Sequence, residues 1–476
     1  MSALSPQPVD LSHAPTPTDR RSSADIRPAP VGVWNTLRHL GPGLIITGSI
    51  VGSGELILTT SLGAEAGFTF LWLILLSCFI KVFVQIELAR YTIRSGQTSL
   101  EAFNVIPGPR WGVSWVVWWW VVMVLASFLQ VGGIVGGVGQ ALQIAWPVSE
   151  LRLGTRAIPF GVAGWTILVS LSGMLILYRG RYRLIERVTT LLVFLFTFTT
   201  VACAILLQWT PYAASSEQFL SGLRFQIPAP AVGTALAMFG ITGVGASELI
   251  YYPYWCLEKG YARFTGPLSD SPEWAERARA WIRVLKIDAW LSMVVYTVST
   301  AAFYVLGAAV LHGRGEIPSG SGMIAVLSQI YVQTIGPWGM VVFLVGALAV
   351  LYSTFFVATA SNARVIADSL HVGRLVCLDR AEKRQRYVGC FCLLFPVLCC
   401  ASYLFTSAPV QLIKAGATVQ AVTLPVIAGS TVYLRFRHAD RRLRPRRVSD
   451  VFLVLAAVGM ALVSGYQAWM LLSSLF

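Results

Sequence analysis

Charge is what this chain has least of. Asp, Glu, Lys and Arg make up 12% of its 476 residues, about half the share carried by a soluble globular chain. Its eight cysteines (Cys78, Cys203, Cys256, Cys377, Cys390, Cys392, Cys399, Cys400) have neither zinc spacing nor paired loop partners. Most lie inside apolar runs, which reads as small hydrophobes rather than a disulfide or metal framework. The five histidines fall in the N-terminal tail or near span ends, so no histidine relay crosses the chain's apolar interior. Residues 1–38 are rich in Pro, Ser and Arg and lack the apolar core of a signal peptide. They read as a disordered cytoplasmic tail. The longest internal loop, about 259–284, shows no apolar pattern to fold alone. That speaks against a sensor or scaffold with an appended domain. The chain is read as neither an enzyme nor a soluble domain, and no cofactor is expected.

What it has in abundance is apolar length. Hydrophobic residues make up 55% of the chain and the mean hydropathy is +0.67, the composition of a chain that lives in a bilayer. Windows long enough to cross hydrocarbon give eleven spans, placed to within about four residues. In order they are 42–65, 68–93, 112–142, 158–178, 184–208, 229–257, 285–311, 336–366, 387–406, 409–434 and 449–474. Only helices satisfy their own backbone in lipid, so these become helices 1 to 11 of an all-α integral membrane protein. With the N-terminus inside, 29 of the 36 Lys and Arg residues fall on the cytoplasmic side and 5 outside; Lys81 and Arg90 lie within a span. That asymmetry predicts a multi-pass inner (plasma) membrane protein. The formal charge of +14 therefore faces lipid and cytoplasm, not nucleic acid. Trp115, Trp118, Trp119 and Trp120 suit an interfacial aromatic belt.

One stretch is written twice. Helix 1 carries Ile46-Thr47-Gly48 and then Gly52-Ser53-Gly54-Glu55-Leu56-Ile57. Helix 6 carries Ile241-Thr242-Gly243 and then Gly245-Ala246-Ser247-Glu248-Leu249-Ile250, with a spacer two residues shorter. Each opens a five-helix half, and the two helices run in opposite senses. Repeat 1 covers about 39–208 and repeat 2 about 229–434, within a transporter domain of 39–476 that ends in an extra helix, 449–474. An inverted repeat with both equivalent helices interrupted marks the binding site of a secondary transporter. Glycine tolerates the irregular backbone, and the freed N–H and C=O groups become ligands. A carboxylate at mid-membrane costs at least about 2.5–3.5 kcal/mol. Glu55 and Glu248 therefore need a reason to be there. Capping of a half-helix N-terminus is one reason; binding a cation, a proton or both is the other.

The chain also resembles a known family. Gly41-Pro42-Gly43 with the helix 1 break and Phe68-Thr69-Phe70-Leu71-Trp72 look like the start of Nramp-type metal-ion transporters. The likeness continues through Gly180-Arg181-Tyr182-Arg183-Leu184-Ile185-Glu186, Lys286-Ile287-Asp288, Val310-Leu311-His312 and Leu424-Pro425. It spans about residues 36–473 and implies the LeuT-like fold: two inverted five-helix repeats with helices 1 and 6 unwound, plus a terminal helix. The family's metal site is Asp-Pro-Gly-Asn in helix 1 and Met-Pro-His-Asn in helix 6. Here the aspartate is Gly52, the asparagines are Glu55 and Glu248, and the histidine is Ser247. The methionine position is Gly245 or Ala246, depending on register. The helix 3 aspartate associated with proton transfer corresponds to Gln130. What remains is oxygen: Glu55, Glu248, Ser53, Ser247, Thr47, Thr242 and unwound carbonyls. That set suits hard ions such as Mg²⁺, or Mn²⁺.

Other residues have a structural and a functional reading. Lys81, within helix 2, either neutralises Glu55 or Glu248, stands in for a coupling cation, or pairs within the bundle. Glu87 and Arg90 read as an ion pair at the inner mouth. Gly132, Gly133, Gly136, Gly137 and Gly139 of helix 3 read as close helix packing. Thr354 and Ser361 of helix 8 either face the helix 1 break or bond to their own backbone. Gln420 and Thr423 of helix 10 are polar and cavity-facing. The expectation is a secondary transporter moving a divalent metal ion by alternating access with proton coupling, with Glu55, Glu248, Gly52, Ser53, Gly54, Gly245, Ala246 and Ser247 at the site. Lys81 and Gln130 would couple or neutralise. The rival is a carrier of a small organic solute or anion, with the two glutamates holding the coupling ion.

Overall fold

Among the described residues, each of the eleven apolar runs is helical. The computed structural model describes residues 25–153, 156–179 and 183–473. Residues 1–24 of the expected tail and Gly180, Arg181 and Tyr182 of the family motif therefore lie outside the described ones. Helix 1 runs as Pro42–Ile50, Val51–Thr59 and Thr60–Ala66. Helices 2 to 5 are Leu71–Ser95, Trp115–Ala145, Gly161–Arg179 and Arg183–Leu206. Helix 6 is split into Val232–Ile241 and Ala246–Lys259. Helix 7 is Pro272–Leu306, extended by a wide turn, Gly307–Leu311. Helices 8 to 11 are Trp338–Val372, Ala381–Thr406, Pro409–Arg437 and Arg447–Ser473. Ten of them are long and apolar enough to cross a membrane by length and composition. Helix 1 joins them as three consecutive pieces.

Two antiparallel hairpins lie between helices: Arg110 pairs with Ser114, and Glu150 with Pro159. A further helix, Met323–Ile335, joins helices 7 and 8 and was not anticipated. Helix 6 is the most enclosed, with 94% of its span window buried against 22% for helices 4 and 11. The helix 3 glycines serve close packing, as expected. A Cβ on Gly133 would stand 2.5 Å from the Pro409 carbonyl, and one on Gly136 would stand 2.2 Å from the Tyr403 ring. Helices 1 and 7 approach as closely, for a Cβ on Gly307 would meet the Thr60 carbonyl at 2.4 Å.

Three expectations need correction. First, helix 1 is not unwound. Over Val51–Thr59 it widens into a π-helix, with i→i+5 bonding, while helix 6 breaks outright at 242–245. The difference lies in Gly243, which takes a left-handed φ of +65°; no glycine of the helix 1 stretch does. Second, helix 7 begins at Pro272, well before 285. Ser271 caps it by accepting from the Trp274 N–H, with proline and Glu273 in the first turn, a strong start signal. Its charged outer face masked the buried stripe Trp274, Ala278, Trp281 and Leu285. Third, residues 25–38 are ordered. The Trp281 indole donates to the Arg27 carbonyl (3.0 Å), the Arg27 N–H donates to the Phe264 carbonyl (3.0 Å), and Val33–His39 is helical.

Candidate functional site

The site grows from the backbone bonds that helix 6 gives up. In a continuous helix the Gly243 N–H would donate to the Phe239 carbonyl four residues earlier. Thr242 instead turns extended (ψ 138°) and Gly243 left-handed. Both freed groups find partners from other helices. The Gly243 N–H donates to Glu55 Oε1 at 3.1 Å. The Phe239 carbonyl accepts from the Lys81 ammonium, which also donates to the Thr242 carbonyl at 2.8 Å. A carboxylate from helix 1 and an ammonium from helix 2 thus replace one backbone hydrogen bond. The two related stretches lie in contact: Thr59 Oγ1 is 3.3 Å from Thr242 Oγ1, and a Cβ on Gly54 would be 3.2 Å from the Ile241 carbonyl.

Glu55 is fully enclosed. Its Oε1 also lies 3.1 Å from Thr300 Oγ1 of helix 7, whereas its Oε2 has no hydrogen-bond partner. The π-helical turn opens the carbonyl of the same residue, which the Thr60 hydroxyl satisfies at 3.2 Å. Gly52 backs onto helix 8, where a Cβ would overlap Thr354 Oγ1 at 1.8 Å. The Ser53 side chain lies outside the described ones.

Glu248 stands in the first turn after the break, with Gly245 at the N-cap. The Ser247 hydroxyl lies 2.9 Å from both Glu248 Oε2 and Gln420 Oε1, and the Ser247 N–H donates to the same Gln420 oxygen at 3.2 Å. The Gln420 amide in turn bonds Gln130 Oε1. A polar chain therefore links Glu248 to helix 10 and helix 3, and two expected candidates, Gln130 and Gln420, belong to it. A Cβ on Gly245 would fall 2.6 Å from Glu248 Oε2, so glycine leaves the carboxylate its place. Ala246 is buried beside it. Thr354 Oγ1 bonds back to the Val350 carbonyl, while the buried Ser361 hydroxyl has no partner.

Lys81 makes no ion pair with either glutamate. Its charge goes to the last carbonyls of the first half of helix 6, the negative end of that half-helix. Two residues were missed from sequence. Thr300 belongs to a Thr-Val-Ser-Thr run, residues 297–300, whose hydroxyls gave the only hint. Asp288 accepts from the Gly41 N–H (3.1 Å), the Gly43 N–H (2.6 Å) and Tyr252 OH (2.9 Å). It thereby anchors the Gly-Pro-Gly start of helix 1; both motifs were noticed, but nothing in the sequence paired them. Among the described residues no cluster of three or more His, Cys, Asp or Glu side chains is placed to hold a metal.

Residues 43–473 match the family described as Nramp, natural resistance-associated macrophage protein-like. The chain belongs to the Nramp family. Relatives include the uncharacterized protein PM0681 of Pasteurella multocida, 25% identical over 90% of each chain. Another, named divalent metal cation transporter MntH, comes from Mycobacterium tuberculosis and is 27% identical over 72% of this chain and 74% of its own. A variant of the Eremococcus coleocola manganese transporter superposes with a TM-score of 0.64 at 17% identity, covering 94% of this chain and 89% of its own. The fold is the LeuT-like one of multi-pass membrane transporters.

In this Nramp-family transporter charged side chains link the helices at the Arg-rich end. Arg364 and Glu258 join helix 8 to the second half of helix 6 at 2.6 Å. Asp368 accepts from Thr98 and Tyr254, both at 2.6 Å, and lies 3.6 Å from Arg384. The expected Glu87–Arg90 pair is present at 2.8 Å, and Arg435, itself 2.7 Å from Asp450, reaches Glu87 at 3.6 Å.

Proposed function

We propose that the chain carries a hard divalent metal ion, Mg²⁺ or Mn²⁺, across the bilayer by alternating access, with protons exchanged at its two glutamates. The observation that carries this reading is Glu55 Oε2: a fully buried carboxylate oxygen without a partner, beside a broken helix. An acceptor left bare in a low-dielectric interior is costly, and a bound cation repays that cost. Relatives bearing the names divalent metal cation transporter and manganese transporter support the substrate class. The oxygen-only donor set, with Gly245 and Ala246 where the family has methionine, supports a hard ion.

The test is uptake by the purified protein in liposomes under an imposed proton gradient. Mg²⁺ or Mn²⁺ is expected to outrun Cd²⁺, and uptake slows as external pH falls because protons compete for the same carboxylate oxygens. Calorimetry showing no divalent binding at millimolar concentration would overturn the reading. A second reading, carriage of an organic solute or anion with the glutamates as coupling-ion site, is favoured by Lys81. Its ammonium at the same break leaves the three charged groups with a single net negative charge, less than a dication needs. Uptake of small solutes without divalent ions in the same liposomes selects it.

A further inference from the structure

We propose that Lys81 fills, with its own ammonium, a monovalent-cation site built into the break of helix 6, so that this site takes no free Na⁺ or K⁺ in the natural protein. The argument does not depend on the transported substrate. Two backbone carbonyls, Phe239 and Thr242, converge on the Lys81 Nζ atom. Both sit at the C-terminal end of the half-helix Val232–Ile241, where the dipole is negative. Unwound carbonyls and half-helix C-termini are the groups that coordinate cations in transporters of this architecture. Hydroxyls stand close by: Ser77 Oγ lies 3.5 Å from the Thr242 carbonyl, and the Thr59 and Thr242 hydroxyls face each other. The Phe239 ring is 4.8 Å from the ammonium, a distance that favours a cation over its face.

What separates this from a structural lysine is how the charge is balanced. Lys81 is fully buried, yet no carboxylate lies within ion-pair distance. A buried lysine normally pairs with an acid; here dipoles and a ring do the work, as they would for a coordinated metal ion. The side chain arrives from helix 2, whereas every oxygen of the inner shell belongs to helix 6. Removing the side chain should therefore leave the oxygen shell intact and open.

The experiment is thermal unfolding of purified Lys81→Ala in detergent. It is titrated with NaCl, LiCl or methylammonium chloride against choline chloride at constant ionic strength. The variant is expected to melt several degrees below wild type and to recover saturably with one of the small cations, while wild type does not respond. Lys81→Met, which keeps the aliphatic volume and fills the site, should melt low and stay unresponsive. If Lys81→Ala does not fold, methylammonium during solubilisation should restore monodisperse protein for it and not for Lys81→Met. A folded Lys81→Ala with no selective cation response overturns the proposal. So does an equal response in wild type, or a failure of every cation to restore the unfolded variant.

Discussion

Thr300 is the sort of residue a sequence reading passes over, because a hydroxyl in an apolar helix usually bonds its own backbone. It does that here, lying 2.6 Å from the Tyr296 carbonyl, and it also faces Glu55. The glutamates were legible because a carboxylate inside an apolar run is rare. Their partners were not, since Thr300, Gly243 and Gln420 are ordinary residues brought near by the fold. This makes a graded prediction. Glu55→Gln can still offer an oxygen to the Gly243 N–H, so the protein should fold, but its charge is gone. Loss of one charge-assisted ligand contact, about 1.5–3 kcal/mol, should cut uptake by roughly ten- to a hundredfold. Thr300→Val removes only a neutral donor and should cost less than Glu55→Gln. Equal uptake by Glu55→Gln and wild type in liposomes would take Glu55 out of the site.

At the scale of the element, nearly identical words gave two different structures. Ile-Thr-Gly ends a half-helix at 241–243, yet at 46–48 the helix runs on and only widens afterwards. The repeat and its location were readable from glycine spacing; which copy breaks was not, because the break depends on tertiary partners that take up the freed groups. Gly243 has Glu55 for its N–H, and its left-handed backbone packs against Cys78 and Tyr296, where a Cβ would stand 3.1–3.2 Å away. Gly48 has helical backbone and nothing within 4 Å of a Cβ. Gly243→Ala should therefore destabilise the protein by about 1–2 kcal/mol, read as a lower Tm in detergent. Gly48→Ala, at the equivalent position of the repeat, should be neutral or stabilise by up to about 1 kcal/mol. Equal effects from the two substitutions would mean that the two stretches are conformationally alike. The early start of helix 7 teaches the same lesson from the other side. A hydropathy window averages over Arg277, Arg279 and Arg283 and so misses a buried Trp stripe that a 3.6-residue period reveals.

For the molecule as a whole, the apolar runs sufficed for the order of the long helices because crossing lipid leaves a chain few alternatives, while the shorter helix Met323–Ile335 escaped them. Sidedness is a separate matter, resting on the distribution of Lys and Arg, and one native thiol can test it. Cys377 is exposed, in the segment that joins helices 8 and 9 beside Arg374 and Arg380. Cys390 is exposed too but lies within helix 9, and the other six cysteines are buried. In a Cys390→Ser background a membrane-impermeant maleimide should therefore find Cys377 alone while the protein stays folded. The excess of basic residues predicts a cytoplasmic position for this segment. Intact cells should leave Cys377 unlabelled, inside-out vesicles from the same cells should label it fully, and Cys377→Ser should abolish the signal. Labelling in intact cells would reverse the whole bundle. The Glu258–Arg364 and Asp368–Arg384 pairs, at the Arg-rich end of the bundle, would then face the outside instead of the cytoplasm.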